Sequence, residues 1–257
     1  MLKAILFDVD GTLAETERDG HRIAFNQAFA EAGLEWTWDV DVYGDLLAIT
    51  GGKERIRHFI DHYQPSYPPQ ANESTWIAGL HKAKTTHYLR LLAEGAIPLR
   101  PGVRRLLDEA RAQGLRLAIV TTTTPENVTG LLEATLGTES IDWFEVIAAG
   151  DIVPQKKPAG DIYIYTLAQL QLHADQCLAI EDSGNGVYSA KAAGIPVLVT
   201  KNAYTHDDQF TGAVAILSDL GEPGDAAQAH FGLNPANGYV DCAYLQALVR
   251  SADEFAL

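Results

Sequence analysis

Residues 5–13 read ILFDVDGTL, a run of apolar side chains that closes on two aspartates, Asp8 and Asp10, one residue apart. A short run this continuously apolar is the pattern of a strand covered on both faces, as in a parallel sheet. Two carboxylates at the end of such a strand repel each other and are costly at the edge of a core unless something positive sits beside them. The stretch therefore predicts a buried first strand and a cation delivered to its end.

Similar runs recur at 2–7, 115–120, 144–149, 176–180, 195–199 and 213–217, and helical patterns at 101–114, 124–137, 159–172 and 183–194 alternate with them. Strands alternating with helices predict an α/β fold, a parallel sheet with helices on both faces. Gly114 and Gly194 stand where helix-ending glycines belong, and Pro125 follows Thr124 as a first-turn proline follows its cap. The alternation breaks between about Ala14 and Pro98, where helical patterns at 21–33, 41–50, 53–63 and 75–95 follow one another. We read this block as an inserted helical cap, giving a core of residues 1–14 and 98–257 and a cap of residues 15–97. Trp36, Trp38 and Trp76 are expected in the cap core, and His58, His62, His81 and His87 as surface or packing residues. VDCAYLQALVR (240–250) has a helical pattern that could pack on the sheet.

With 257 residues, 47% of them hydrophobic, the chain can bury a large core. A net charge of −15 argues against nucleic acid, whose binding needs clustered Lys and Arg. The two cysteines, Cys177 and Cys242, make no disulfide framework, and no His or Cys spacing suggests zinc. No leader pattern or membrane-length apolar run is visible. The expectation is a soluble, cytoplasmic monomer with a small-molecule substrate.

Ligands of open parallel sheets bind at the carboxyl ends of the strands. Asp8 and Asp10, Thr121, and Glu181 with Asp182 fall at such ends, and Lys157 lies in a loop after the strand at 144–149. Asp8, Glu181 and Asp182 offer the hard oxygen ligands that suit Mg2+, with room for water and a phosphate. That ion is the cation the first strand asks for, and Lys157 adds a second positive charge. Thr121 and the backbone of the following turn, with Thr122, could hold phosphate oxygens beside the helix N-terminus at Pro125. An ionised Asp8 could attack phosphorus, while Asp10 protonates the leaving oxygen and later activates water. Any hydroxyl of TTTT (121–124) could be the phosphate contact, and Thr121 is preferred by its strand position. Of Lys156 and Lys157, one is expected to be a solvated surface charge.

DVDGT (8–12), Thr121, the KKP loop (156–158) and EDS (181–183) resemble, in order, the four motifs of the haloacid dehalogenase (HAD) superfamily in its phosphatase branch. The resemblance implies a Rossmann-like core with a cap after the first motif, Asp8 as nucleophile, Asp10 as general acid and base, and Lys157, the lysine preceding proline, facing the phosphoryl group. It also implies Mg2+ held by Asp8, the Asp10 carbonyl and Asp182, with Glu181 acting directly or through water. The metal-free dehalogenase branch lacks the second aspartate, which is present here.

In the cap, TGGKERIRHF (50–59) places Gly51 and Gly52 before a basic cluster, so backbone N–H groups and cations could receive a second anion. Helical spacing puts Lys53 and Arg57 on one face and Arg55 elsewhere, which favours Lys53 and Arg57. AETERDGHRIAFN (14–26) together with TGGKERI resembles the CbbY-type group, which includes phosphatases of xylulose 1,5-bisphosphate. Glu17 and His21 would then face the sugar. The resemblance leaves beta-phosphoglucomutase and phosphoglycolate phosphatase chemistries as alternatives, with Thr12 leaning towards a phosphatase.

Overall fold

The computed structural model describes residues 1–255. Strands β1 (Ala4–Phe7), β2 (Arg116–Val120), β3 (Phe144–Ala148), β4 (Cys177–Glu181), β5 (Val197–Thr200), β6 (Ala215–Leu217) and β7 (Ala229–Phe231) form one sheet in the order β3-β2-β1-β4-β5-β6-β7. All neighbours are parallel except β6 and β7. Strand order reverses at β1, which lies between β2 and β4, so the carboxyl ends of these three strands make the crevice where open α/β sheets bind ligands. β7 was not anticipated, because a three-residue strand carries too little alternation to read.

Between β1 and β2 the chain builds a separate helical layer. A π-type turn at Glu17–His21 runs into α1 (Arg22–Glu31), followed by α2 (Val40–Leu46), α3 (Gly52–Tyr63) and α4 (Glu73–Ala93). Asp39 and Asn72 cap α2 and α4, accepting from the amides of Val42 at 2.8 Å and Thr75 at 3.0 Å. The layer has its own aromatic core of Phe25, Phe29, Trp36, Trp38, Tyr43 and Phe59, against which Trp76 packs half-buried. The chain leaves the sheet layer and returns side by side. Ala14 bridges Leu99, and the Arg100 amide donates to the Leu13 carbonyl at 2.8 Å.

The remaining helices cover the sheet. On one face, Ile5 and Phe7 join α5 (Val103–Ala112) and α6 (Pro125–Leu136) in a common cluster; on the other, Ala4 and Leu6 meet α7 (Asp161–Leu170) and α8 (Gly184–Ala192). α9 (Cys242–Phe255) adds Leu245, Leu248 and Val249 to the first face. β1 is buried on both sides, which is why its sequence is unbroken by polar residues. Among the described residues, no helix is long and apolar enough to cross a membrane.

Candidate active site

The end of β1 projects Asp8 towards the end of β4, where Glu181 and Asp182 lie, and all three are buried. One carboxylate oxygen from each falls within 4.8 Å of the others. The cation between them is Lys157, whose Nζ donates to Asp8 Oδ1 at 2.8 Å, Glu181 Oε1 at 2.7 Å and the Val120 carbonyl at 2.8 Å. Tyr163, from α7, also donates its hydroxyl to Glu181 Oε1. Asp182 Oδ2 accepts from Asn202 Nδ2 at 2.6 Å.

One ammonium does not neutralise three buried carboxylates. Burial pushes Asp8 up to about 7 against the opposing pull of Lys157, and burial together with the Asp8 charge raises Asp182 well above the usual carboxylate range. Glu181 Oε2 is buried without any hydrogen-bond partner. Three hard oxygen donors, surplus negative charge and an orphaned carboxylate oxygen fit a small divalent cation such as Mg2+. Two glycines keep this space open. A Cβ on Gly186 would lie 1.9 Å from Glu181 Oε2, and one on Gly11, whose φ is +77°, would lie 2.3 Å from Asp182 Oδ2.

The cluster predicts a pH-dependent response to metal. Groups whose folded-state pKa is raised contribute stability at low pH that is lost as pH rises through the folded value. The metal-free protein should therefore lose stability between about pH 5 and 8, and Mg2+ should raise Tm by several degrees more at pH 8 than at pH 5. Thermal scans in EDTA and in Mg2+ at both pH values check this.

Asp10 is placed differently. Its carboxylate turns away from the acidic cluster and accepts from Thr16 Oγ1 at 2.6 Å, with His21 Nε2 at 2.8 Å from the same oxygen. Burial alone would raise Asp10, but His21 and Thr16 outweigh it and hold the carboxyl well below its ordinary value. Asp10 thus offers no side chain to the metal cluster. Thr121, at the end of β2, is buried, and with Thr122 it lines the same cleft ahead of the N-terminus of α6.

The cleft between sheet and helical layer has two lobes. One, of about 530 Å³, contains Asp8, Lys157, Asp182 and Thr121; the other, of about 470 Å³, contains His21, Gly52, Lys53 and Lys84. Asp10, Glu17, Gly51, Arg55 and Thr122 border both.

The structure brings Arg55 to this cleft and leaves Arg57 out of it. Arg55 is buried, donates to the Tyr43 hydroxyl at 2.9 Å and lies 3.8 Å from Glu17 Oε2, so the expected face of α3 is corrected. Arg57 pairs with Glu73, at the start of α4, and lines neither lobe. The reason is that Arg55 shares the apolar stripe of Phe59, one turn on, which faces inward. Lys53 lines the second lobe while its ammonium reaches across to Asp151 at 2.8 Å. Lys156 is not a solvated charge, for it pairs with Glu54 and Asp151, both at 2.9 Å.

Two further residues were not foreseen in the cleft. His81, expected as a surface or packing residue, lines the second lobe, and burial lowers it to about 3, so it is neutral there. Lys84 is 3% exposed and has no hydrogen-bond or ion-pair partner among the described residues; its ammonium lies 5.2 Å from the ring centres of Phe25 and Tyr88. The available signal was a lysine inside the apolar stripe Ile77, Leu80, Tyr88 and Leu91 of α4.

A parallel sheet with acidic groups and a buried lysine at its switch point, covered by a helical layer inserted after the first strand, defines a hydrolase of the HAD-like class. The chain belongs to that family, since the haloacid dehalogenase-like hydrolase model matches residues 2–194. Within it the chain belongs to the CbbY group, in the phosphatase branch. It is 45% identical over 246 residues to the plasmid-encoded CbbY protein of Cupriavidus necator, covering 96% of each chain. With CbbY of Rhodobacter capsulatus the identity is 51% over 219 residues, covering 85% of this chain and 94% of the relative. The crystal structure of CbbY from Rhodobacter sphaeroides in complex with phosphate superposes with a TM-score of 0.81 at 46% identity, over 87% of this chain and 97% of that one. A mutant of that protein in complex with xylulose-(1,5)bisphosphate superposes equally well.

Proposed function

We propose that this protein is a Mg2+-dependent phosphatase of a sugar bisphosphate of the xylulose 1,5-bisphosphate type, acting through an aspartyl-phosphate. The observation that carries the bisphosphate reading is Lys84, a buried ammonium without an anionic partner, in a lobe adjoining the one that holds Asp8. An unpaired charge in such a place is costly, and a second phosphate arriving beside it removes the cost. The sugar bisphosphate bound by the Rhodobacter sphaeroides relative supports the same reading.

Asp8, Glu181 and Asp182 would hold the Mg2+, with the Asp10 carbonyl as the family pattern implies. When bound, the ion supplies positive charge to the phosphoryl oxygens and lets Asp8 stay ionised. The chain's own residues do the rest. Asp8 presents Oδ2 to phosphorus while Lys157 holds Oδ1, and the bond from phosphorus to the sugar oxygen breaks as the new one forms. Lys157, Thr121 and the amides at the α6 N-terminus stabilise charge on the transferring group. Asp10, ionised in the free protein, must take up a proton as the substrate's negative charge arrives beside it, and it passes that proton to the leaving sugar oxygen. It then takes a proton from the water that attacks the phosphoryl group, which frees phosphate and restores Asp8. Thr16 and His21, in the passage to the helical layer, favour the ionised Asp10 that this second step needs. Glu17, held by Tyr43 and Arg55, faces the sugar between the lobes, and residues 15–97 act as a cap that excludes bulk water.

The test is phosphate release from a panel of sugar mono- and bisphosphates by wild type and Lys84→Ala. A charge-assisted contact contributes about 1.5–3 kcal/mol, so K84A should raise KM for the bisphosphate roughly 10- to 100-fold while leaving monophosphates within about threefold. Burial brings Lys84 down to about 8 against the opposing pull of Asp10 and Glu17. A lysine with a lowered pKa is charged below that value and neutral above it, so kcat/KM for the bisphosphate should fall as pH rises through about 8. In K84A that limb should vanish. Equal losses on both substrate classes, with the limb intact, would remove Lys84 from the second phosphate site.

A further inference from the structure

The return from the helical layer to the sheet carries Arg100, a buried guanidinium to which the catalytic reading above assigns no task. Its Nη1 donates to the Gly11 carbonyl, to the Thr200 carbonyl at 3.0 Å and to Thr200 Oγ1 at 3.3 Å. Its Nη2 donates to the Lys201 carbonyl and, at 2.8 Å, to the Ser218 carbonyl. Its Nε lies 3.0 Å from Glu15 Oε1 on the outgoing passage. One side chain thus ties the turn after Asp10 to the ends of β5 and β6 and to both passages of the hinge.

The turn that Arg100 grips reaches both halves of the site. Gly11 follows Asp10 directly, and its carbonyl also lies 3.5 Å from Asn202 Nδ2, the group that donates to Asp182. The turn's own bonds are local to residues 9–14: the Thr12 and Leu13 amides donate to the Val9 carbonyl at 3.2 and 2.9 Å, the Gly11 amide to the Ala14 carbonyl at 2.9 Å, and Asp10 bridges Ala14, so Arg100 is the side chain that joins this turn to the ends of β5 and β6. Ala14 is itself a hinge residue, bridged to Leu99. Without a core-side anchor, movement of the hinge would carry the turn with it.

We propose that Arg100 is a positioning residue that clamps the Asp10–Gly11 turn to the core, so that the two aspartates keep their relation to Asp182 while the helical layer moves. A lysine cannot replace it, because one ammonium cannot span donors aimed at Gly11, Lys201 and Ser218 from a planar fork. The proposal rests on the phosphatase reading for its kinetic readout and on metal binding for an independent one.

The experiment compares Arg100→Lys and Arg100→Ala with wild type, and Asp8→Asn serves as the inactive reference. In R100K, kcat should fall at least about 30-fold with KM within about threefold. Mg2+ binding by titration calorimetry, which needs no turnover, should weaken at least about fivefold. Millimolar methylguanidinium, and not methylammonium, should restore part of the kcat of R100A. R100K retaining kcat within threefold and wild-type Mg2+ affinity would overturn the proposal. So would a loss that only tracks the unfolded fraction in thermal scans, or a failure of both variants to fold, since the role would then be structural alone. Absence of phosphate release by wild type would strike the phosphatase reading and leave the calorimetric arm to decide on Arg100.

Discussion

Asp8→Asn should abolish phosphate release, by at least about four orders of magnitude in kcat, and at the same time leave the metal-free protein as stable as wild type or more so. The two halves of this expectation come from one observation. Burial pushes Asp8 up to about 7 even with Lys157 2.8 Å away, so its negative charge is disfavoured in the folded, metal-free state. Asparagine has nearly the same shape and no charge. Above the pKa of an unfolded aspartate the substitution removes an unfavourable charge from the native state, and Tm in EDTA should be unchanged or raised at pH 8. Lys157 keeps Glu181 as a partner at 2.7 Å, so it is not stranded. The amide cannot attack phosphorus, and Asp10, the other carboxylate after β1, is engaged by Thr16 and His21. Acid-quenched single turnovers with labelled substrate should trap a phosphoprotein in wild type and none in D8N. Residual activity in D8N above about 1% of wild type, or no trapped phosphoprotein from wild type under burst conditions, would mean that water attacks phosphorus directly and Asp8 serves only the metal.

Much of this was legible in the sequence for a physical reason. Asp8, Thr121, Glu181 and Asp182 sit at or just after strands whose apolar runs are unmistakable, and the geometry of a parallel sheet brings such ends together whatever the loops do. Lys157 is one step further from a strand, yet its place before Pro158 in a motif series marks it. The helical layer was legible as a block and not as a surface. Arg55 and Arg57 could not be sorted by helical spacing alone, because spacing shows which residues share a face, while the packing of Ile56, Phe59 and Ile60 decides which face turns inward. Lys84 and His81 reach the cleft only through the packing of α4 on α1, a contact between segments some sixty residues apart. Asn26, which exchanges hydrogen bonds with the Trp38 backbone at 2.8 and 2.9 Å, belongs to the same class of tertiary detail. Arg100 was hidden differently. Its partners are mostly main-chain carbonyls, which every sequence has, so nothing in its surroundings singles it out.

Lys157→Met is expected to have the other large effect, on both activity and stability, and it tests the proposition that distant loops supply the charge the first strand requires. Methionine has a similar length and no charge, so packing beside Tyr163 is largely kept while Asp8, Glu181 and Asp182 are left with no ammonium among them. Removing one partner from a buried ion pair costs about 3–5 kcal/mol, because the remaining charge is uncompensated. Here two carboxylates lose their common partner, and the Val120 carbonyl loses a donor. The carboxylates can escape the penalty by binding protons, which fixes the sign of the pH dependence. With Lys157 gone, the folded-state pKa of Asp8 rises further, so stability is kept at low pH and lost as pH rises towards and through the new value. Tm of K157M in EDTA should therefore fall more steeply than that of wild type between pH 5 and pH 8, and saturating Mg2+ should recover part of the difference at pH 8. Recovery of activity should not follow. The ammonium facing the phosphoryl oxygens is a separate contribution, and its loss is expected to lower kcat about 10³-fold even with the metal site filled. If Tm in K157M ran parallel to wild type across this pH range, the three acids would not be sharing one buried charge problem, and the electrostatic account of the site would have to be replaced.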